Sequence, residues 1–352
     1  MLLGDLPLEE FNLAGGTRLI VKDNVLAVIC DNALMTLSSA FYNGGYKQIK
    51  AVLNVGVPEG YNDRSLHLDP LKLITSSAAK LGITKDYLAM VTAAKINNYS
   101  LDRKKSDDFS VSVAVTAGCE HGESSGEEMD VQEIHGTINI IVLIDGKPTE
   151  SCMVASVITA TEAKSAALRD LDVRSLYTGD SATGSITDSV TIASTDVGKT
   201  ISYGGPASKL GKLVGYCTRK AVTEALIKQE PFWAYRTVID RLKERHLPLE
   251  KIAAELSKVK SLAIDAKGLE EILKNNKLAL IHVLAAAKLD DDVKKNLLPP
   301  DFGDVAELSK YLGNLNRVSL YDYKLTAYDP VNLPPFLKQV LIKIVSESIS
   351  ER

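Results

Sequence analysis

No stretch of this sequence approaches the run of roughly 18 apolar residues that a membrane-spanning helix needs. The first eleven residues carry Asp5, Glu9 and Glu10, without a basic leader ahead of an apolar segment, so no signal peptide is recognised. An excess of one charge is also missing, because 41 basic residues face 45 acidic ones and leave a net charge of -4. We therefore predict a soluble, cytoplasmic protein with no membrane insertion and no nucleic-acid partner.

Cysteine and histidine are scarce and scattered. The 352 residues include four cysteines and five histidines, with no CxxC, HxH or HExxH spacing. These spacings are typical of zinc ribbons and catalytic zinc sites, so we predict no metal site and expect free, buried thiols. His135, directly before Gly136, is the histidine placed to act as an acid–base group.

The pattern of the chain changes near Glu230-Pro231. Before this point, short β-branched runs alternate with helical patterns and glycine-rich turns, which is typical of helices layered on a sheet. Leu19–Val21 and Val25–Ile29 flank a polar turn and predict a hairpin, so a purely parallel sheet is not expected. Further strands are predicted at Ile49–Val55, Tyr87–Lys95, Phe109–Thr116, Thr137–Ile144 and Ser189–Ala193, and helices at Asp69–Leu81, Thr149–Leu171 and Leu210–Ile227.

After this point strand-like runs nearly vanish. The sequence predicts an α/β domain with a mixed sheet over residues 1–229 and a separate all-helical domain of unknown role over residues 230–352. The predicted helices of the second domain are Ala234–Arg245, Leu249–Lys258, Lys267–Lys288, Val305–Leu312 and Pro335–Ser350.

The helix predicted at Thr149–Leu171 carries two charges beside its inward face. That face is predicted to contain Val154, Val157, Ile158, Thr161, Ser165 and Leu168. Glu162 lies roughly 100° from its centre on one side and Lys164 roughly 60° on the other. Neither has an intrahelical partner three or four residues away. The two side chains either extend to water or reach into a cleft at the end of the sheet.

Small polar residues also mark two strands and two loops. Alternation places Thr137 and Asn139 on one face of a strand, and a buried asparagine must be hydrogen-bonded. Thr116 and Gly118 belong to a small, polar face of the preceding strand, suited to a floor beneath a large ligand or to close helix packing. The glycine turn at Gly179–Ser185 leads into Asp188 and is suited to binding an anion, although it lacks the ending of a P-loop.

Six segments occur in an order and spacing that resembles the adenosylcobinamide amidohydrolases, a family of corrinoid salvage. The resemblance covers roughly Leu19 to Leu226. Its segments are Leu37–Gly45, Thr116–Gly118, Gly136–Asn139, Thr161–Lys164, Ala182–Asp188 and Tyr203–Pro206. The chain departs from the family pattern at Ser185, where threonine is expected, and after Gly118, where an asparagine is expected nearby.

The resemblance implies hydrolysis of the amide that joins the corrin propionate arm to aminopropanol. The corrinoid is then a substrate that carries its own cobalt, and no cofactor is expected. The catalytic candidates are Glu162, Lys164, Thr137, Asn139 and Asp188. The candidates for binding the corrinoid are Ser38, Ser39, Asn43, Gly44, Gly45, Thr116, Gly118, Thr183, Gly184 and Ser185.

Amide hydrolysis needs an activated nucleophile, a proton donor for the amine and donors for the oxyanion. We assign Glu162 as the acid–base group, with Lys164 as its electrostatic partner or as an oxyanion donor. Asn139 and the Gly184 region would supply neutral donors. The nucleophile is either water or a hydroxyl, from Thr137, Ser39 or Thr183.

Two other functions fit the sequence: a corrinoid-binding protein without hydrolytic activity, and an amidohydrolase for a different amide. A homo-oligomer, or a protein partner of the helical domain, is left open.

Overall fold

The structure, a computed structural model, describes residues 9–58, 70–120, 122–127, 136–259, 262–275, 277–297, 333 and 335–350. The chain divides into two compact units, Met1–Tyr235 and Arg236–Arg352. Residues 230–235, which the sequence assigned to the helical domain, therefore lie in the first unit. His135 and the helix predicted at Val305–Leu312 lie outside the described residues.

The first unit is built on a mixed sheet. Its described strands are β1 (Glu9–Asn12), β2 (Thr17–Lys22), β3 (Val25–Ser38), β4 (Gly45–Gly56), β5 (Tyr87–Thr92), β6 (Ser100–Lys105), β7 (Ser110–Gly118), β8 (Thr137–Asp145), β9 (Lys147–Pro148), β10 (Ser189–Ser194) and β11 (Thr200–Ile201). Its helices are α1 (Leu71–Lys80), α2 (Glu150–Asp170), α3 (Lys209–Gln229) and α4 (Phe232–Tyr235).

The main sheet has nine strands among the described residues and branches at β3. One path runs β1-β2-β3-β10-β8-β7-β6, while β4 pairs with the other edge of β3 and then with β5. Most pairs are antiparallel, but β10 is parallel to β8 and β5 is parallel to β4. The register of β3 with β4 shifts between Ile29 and Leu34, which bends the sheet there. The predicted hairpin of β2 and β3 is confirmed, with Asp23 and Asn24 at positive φ in its turn.

Both faces of the curled sheet are buried. The face of β8 that carries Ile138, Ile140 and Val142 packs with β7, β10, α2 and α3. The opposite face, with Ile141 and Leu143, meets apolar residues of β2, β3, β4 and β5. Helix α1 covers the outer side of β3, β4 and β5. The predicted α/β fold with helices layered on a mixed sheet is therefore confirmed.

The inward face predicted for α2 is only partly right: Leu168 is buried and Val157 packs against the core, but the other predicted members are not buried. Val154 and Ile158 are 51% and 54% exposed, and Thr161 is also exposed. The buried face instead carries Cys152, Met153, Ser156, Thr159, Ala160, Ala163, Lys164, Ala167 and Leu168. This face is mostly small, which lets α2 approach the sheet and the loop before α3 closely. A Cβ on Gly204 of that loop would lie 2.3 Å from the carbonyl oxygen of Cys152. Closeness of packing, rather than hydrophobicity, decides the buried face.

The second unit consists of helices in its described part. These are α5 (Val238–Glu244), α6 (Leu249–Leu256), α7 (Ala266–Asn275), α8 (Lys277–Lys294) and α9 (Pro335–Ser350). They share an apolar core that includes Leu256, Leu269, Val283, Leu337 and Leu341. The prediction of a helical C-terminal part is confirmed. Within the described ranges, no helix is long and apolar enough to cross a membrane.

Candidate active site

A buried ion pair lies where β8 and β10 begin. Lys164 extends from α2, and its Nζ lies 2.5 Å from Oδ2 of Asp188, one residue before β10. The two side chains are only 10% and 12% exposed. Because each charge is withdrawn from water, each depends on the other for compensation. Loss of either partner would leave an uncompensated buried charge, which costs about 3–5 kcal/mol.

Three further donors hold the carboxylate of Asp188. Oδ1 accepts hydrogen bonds from the Ser185 hydroxyl at 2.5 Å and from the backbone N–H of Ile138 at 3.0 Å. The backbone N–H of Ser185 also points to Oδ2 at 3.1 Å. The spacing Ser-x-x-Asp favours this local turn, and the Ile138 bond ties it to the first residues of β8. Asp188 is therefore fixed in position independently of Lys164.

Gly184 leaves the space that the ion pair occupies. A Cβ built on Gly184 would lie 2.4 Å from Asp188 Oδ2 and 2.8 Å from Lys164 Nζ, closer than real Cβ atoms come to other atoms. Any other residue at this position would displace the pair. The sequence placed Gly184 in a turn that could bind an anion. The structure shows a different requirement for glycine here, because a side chain would clash with Asp188 and Lys164.

Lys164 keeps hydrogen-bonding capacity that the described residues do not use. An ammonium group has three donors, and in the described part of the chain Asp188 is the one partner of Nζ. The backbone N–H groups of Thr183 and Gly184 donate to the carbonyl of Glu123, and that of Ser185 donates to Asp188. The anion donors predicted at Gly184 and Ser185 are therefore already occupied, whereas Lys164 has protons to offer a ligand.

Thr137 lies beside this centre but is itself engaged. Its Oγ1 is 2.8 Å from the Thr187 hydroxyl and 2.8 Å from the carbonyl oxygen of Gly136, to which it donates. Gly136 has a φ of 91°, which favours glycine, and its carbonyl also accepts from the Thr187 hydroxyl at 3.3 Å. The Thr137 side chain is buried, with the residue 4% exposed.

Asn139 belongs to a chain of buried, hydrogen-bonded polar side chains on the face of the sheet that carries Ile141 and Leu143. Its Nδ2 donates to Oδ1 of Asn54 at 2.8 Å and to the carbonyl of Val91 at 2.9 Å. Asn54 in turn donates to Thr116 Oγ1 at 2.8 Å. We call Asn54, Thr116 and Asn139 the amide floor. Both amide protons of Asn139 are used, so it has none left for an oxyanion, while its Oδ1 is buried without a partner among the described residues.

The loop after β3 is held at both of its ends. The Ser38 hydroxyl lies 2.6 Å from the Thr191 hydroxyl, and Ser39 Oγ accepts from the N–H of Val190 at 3.0 Å. This end of the loop therefore lies beside the first residues of β10, close in sequence to Asp188. The other end contacts β5, where Asn43 Nδ2 donates to the carbonyl of Tyr87.

Backbone conformation and close contacts explain the Asn43-Gly44-Gly45 sequence of this loop. Asn43 and Gly45 have positive φ values of 56° and 88°, and a Cβ on Gly44 would lie 2.3 Å from the carbonyl of Ala40. Thr183, also predicted for binding, accepts from the backbone N–H of Ser125 at 2.9 Å.

Sequence reasoning missed Glu230, whose carboxylate holds the end of β7. It accepts from the N–H groups of Cys119 at 2.9 Å and Glu120 at 3.1 Å, and from Nε1 of Trp233 at 2.5 Å. A Cβ on Gly118 would lie 3.3 Å from Glu230 Oε1. Burial raises the pKa of Glu230, although these donors oppose the shift. Nothing in the sequence pointed to this role, because Glu230 directly follows the last residue of α3, where the sequence predicted the boundary between the two domains.

Glu162 and Lys164 do not share a cleft. Glu162 is exposed and lines a groove of about 630 Å³ between the outer sides of α2 and α3, together with Tyr216 and Arg219. Lys164, two residues on, faces inward, since successive helix residues turn by about 100°. The structure thus brings Lys164 together with Asp188, Ser185, Gly184 and Thr137, and leaves Glu162 on another face.

A buried thiol also lies near the ion pair. The thiol of Cys119 donates to the carbonyl of Gly184, at 3.6 Å from Sγ, and burial raises its pKa well above the usual value. No group of three His, Cys, Asp or Glu residues in the described ranges is arranged to hold a metal ion.

Comparisons with known proteins agree with the sequence resemblance. The chain is 30% identical over 213 residues to adenosylcobinamide amidohydrolase of Methanosarcina mazei, covering 59% of this chain and 92% of that protein. It is 29% identical over 207 residues to an uncharacterized protein of Methanocaldococcus jannaschii, covering 53% and 80%.

Among solved structures, an L-aminopeptidase D-Ala-esterase/amidase from Ochrobactrum anthropi aligns with 64% of this chain and 83% of that one, at 10% identity. The TM-score of this alignment is 0.32.

The family model of the adenosylcobinamide amidohydrolases matches residues 11–232, nearly the whole first unit and the whole of the site described above. The chain therefore belongs to the adenosylcobinamide amidohydrolase family.

Proposed function

We propose that this chain hydrolyses the aminopropanol amide of adenosylcobinamide to adenosylcobyric acid and 1-amino-2-propanol. The observation that carries the proposal is the buried pair of Lys164 and Asp188, in which two lysine protons have no acceptor among the described residues. Membership of the amidohydrolase family supports the choice of substrate.

The chemistry of an amide suits this pair. Attack on the carbonyl places negative charge on its oxygen, and a buried ammonium stabilises that charge more strongly than a donor in water does. The departing nitrogen has to gain a proton, and Asp188 is the carboxylate beside Lys164 that can carry it. Lys164 therefore acts as the oxyanion donor and Asp188 as the acid–base group. The amide floor lies on the face of β8 opposite to the one that packs against α2, two residues along the strand from Thr137.

The test is release of 1-amino-2-propanol from adenosylcobinamide, measured by mass spectrometry. We expect Lys164→Met to lower turnover at least about 100-fold, as loss of an oxyanion donor does. Lys199→Met is the matched control, because Lys199 forms a surface ion pair with Asp108 at 3.0 Å and is 84% exposed. Equal turnover in both variants would remove Lys164 from the mechanism.

Two results would point to another function. If wild-type protein retains adenosylcobinamide unchanged through gel filtration, it is a corrinoid-binding protein. If it neither binds nor hydrolyses this corrinoid, the amide it acts on is a different one.

Glu162→Gln tests the acid–base role that the sequence predicted for this residue. Because Glu162 faces the outer groove, we expect this variant to keep its turnover. A cytoplasmic location and self-association stay predictions of the sequence.

A further inference from the structure

We infer that Ser185 is the nucleophile of this site and forms a covalent acyl-enzyme intermediate. The inference rests on the proposed function and adds the step that the sequence left open between water and a hydroxyl. It assigns to Ser185 a role different from the substrate contact that the sequence predicted.

The hydroxyl groups around the ion pair differ in what they contact. Ser185 Oγ donates directly to Asp188 Oδ1 at 2.5 Å, so the carboxylate that would take its proton is already its hydrogen-bond acceptor. Thr137 donates to a carbonyl oxygen, which cannot serve as a base. Thr183 and Ser39 accept backbone N–H groups, and among the described residues neither hydroxyl is bonded to a carboxylate.

Access and electrostatics favour the same residue. Ser185 is partly exposed, whereas Thr137 is buried, so Ser185 is the more accessible of the two residues. Lys164 contacts Oδ2 of the carboxylate whose Oδ1 contacts Ser185. The base for the hydroxyl and the donor for the oxyanion are therefore joined through Asp188.

A second turn in the chain has the same hydroxyl–carboxylate hydrogen bond as the Ser185–Asp188 turn but, among the described residues, no buried lysine beside it. Thr237 and Asp240 have the same spacing, and Asp240 likewise accepts the hydroxyl at 2.7 Å and the backbone N–H at 2.8 Å. That pair caps helix α5 and is exposed. The turn alone is thus structural, and the buried Lys164 is what makes the Ser185 turn chemically different.

The reaction would proceed in two steps. Ser185 Oγ attacks the amide carbonyl carbon, its proton passes to Asp188, and the carbonyl π electrons move to the oxygen facing Lys164. The C–N bond then breaks, and the nitrogen leaves with the proton from Asp188 as 1-amino-2-propanol. The propionyl group remains as an ester on Ser185. Water attacks this ester and gives a proton to Asp188, the ester C–O bond breaks, and the proton returns to Ser185 as adenosylcobyric acid leaves.

The test traps the ester. Wild-type protein is mixed with adenosylcobinamide, quenched in acid and digested, and the peptide that contains Ser185 is analysed by mass spectrometry. We expect a corrinoid acyl adduct on Ser185, absent in Ser185→Ala, whose turnover should fall at least about 100-fold. Ser185→Thr retains a hydroxyl and should recover most of the activity. Ser181→Ala, in the same loop, should keep wild-type turnover.

The outcomes separate this inference from the proposed function. If the wild type releases 1-amino-2-propanol and Ser185→Ala does so at a similar rate, the nucleophile is not Ser185, and the proposed function stands. An adduct on another residue leads to the same conclusion. If the wild type releases no 1-amino-2-propanol, both the proposed function and the assignment of Ser185 fail. A circular dichroism melt of Ser185→Ala shows whether a loss of turnover reflects unfolding, in which case the adduct and the Ser185→Thr variant decide.

Discussion

Replacing Gly184 with alanine should break the buried pair of Lys164 and Asp188, and with it the proposed chemistry, without changing any charge. The added Cβ would lie 2.4 Å from Asp188 Oδ2 and 2.8 Å from Lys164 Nζ. Asp188 would have to retreat by about 1 Å to reach an ordinary contact distance of 3.4 Å, but Ser185 and Ile138 hold it in place. A displacement of about 1 Å at reacting groups can cost about 100-fold in rate. Overpacking of this kind also costs about 1–3 kcal/mol of stability.

The assay is 1-amino-2-propanol release together with the urea midpoint, compared between Gly184→Ala and Gly215→Ala. A Cβ on Gly215 would meet Thr159 Cγ2 at 3.6 Å, an ordinary contact, and alanine stabilises a helix by about 0.5–1 kcal/mol over glycine. The control should therefore keep full turnover and gain slightly in stability. Turnover of Gly184→Ala within about twofold of wild type would refute the reasoning, because the pair would then tolerate the displacement.

Three further outcomes are expected. Asn139→Ala should lower the free energy of unfolding by about 2–4 kcal/mol in urea titrations, since Asn54 Oδ1 and a backbone carbonyl would both lose a donor; a loss below about 1 kcal/mol would contradict this. Trp233 is the one tryptophan of the chain, so its fluorescence should follow protonation of Glu230 with a midpoint above pH 4.5, and Glu230→Gln should abolish that transition. Burial raises the pKa of Asp290 from 3.8 to about 7, and the hydrogen bonds that its carboxylate accepts from two backbone N–H groups of α9 oppose this rise. A raised folded pKa means that the native state binds the extra proton, so stability from this group is full below pH 3.8 and is lost as the pH rises through about 7. Urea denaturation between about pH 4 and pH 7 should show this slope in wild type and not in Asp290→Asn.

Periodicity predicted the strands that are long buried apolar runs, such as β8 and β10, but missed the largely polar β6 and the second half of β3. The alternation along β8 placed Asn139 on the face opposite Ile138 and required that its amide be hydrogen-bonded, as it is. The same reasoning was only partly right for α2, where Leu168 is buried as predicted. Its buried face carries small residues such as Ala160 and Ala167, while Val154 and Ile158 face outward. A stripe of large apolar residues therefore does not predict the buried face of a helix that packs closely against its neighbours through small residues.

For the candidate active site, the sequence predicted several of the residues but not which of them contact one another. Lys164 and Asp188 both stood out in the sequence, but nothing there paired them, because they lie 24 residues apart on different elements. Glu162 stood out for the same reason as Lys164, yet the two side chains point to different faces of α2. Glu230 was overlooked because its partners at the end of β7 lie more than 100 residues earlier.

The amide floor also constrains the order in which the protein can fold. Its two bonds join Asn54 to Thr116 and to Asn139, at sequence separations of 62 and 85 residues. Closing such long loops costs chain entropy before any contact offsets it, which slows folding. On a ribosome, the floor cannot be completed until Asn139 has been synthesised, and until then the polar side chain of Asn54 lacks this partner. The amide floor can therefore be completed only after the chain has been synthesised through the start of β8.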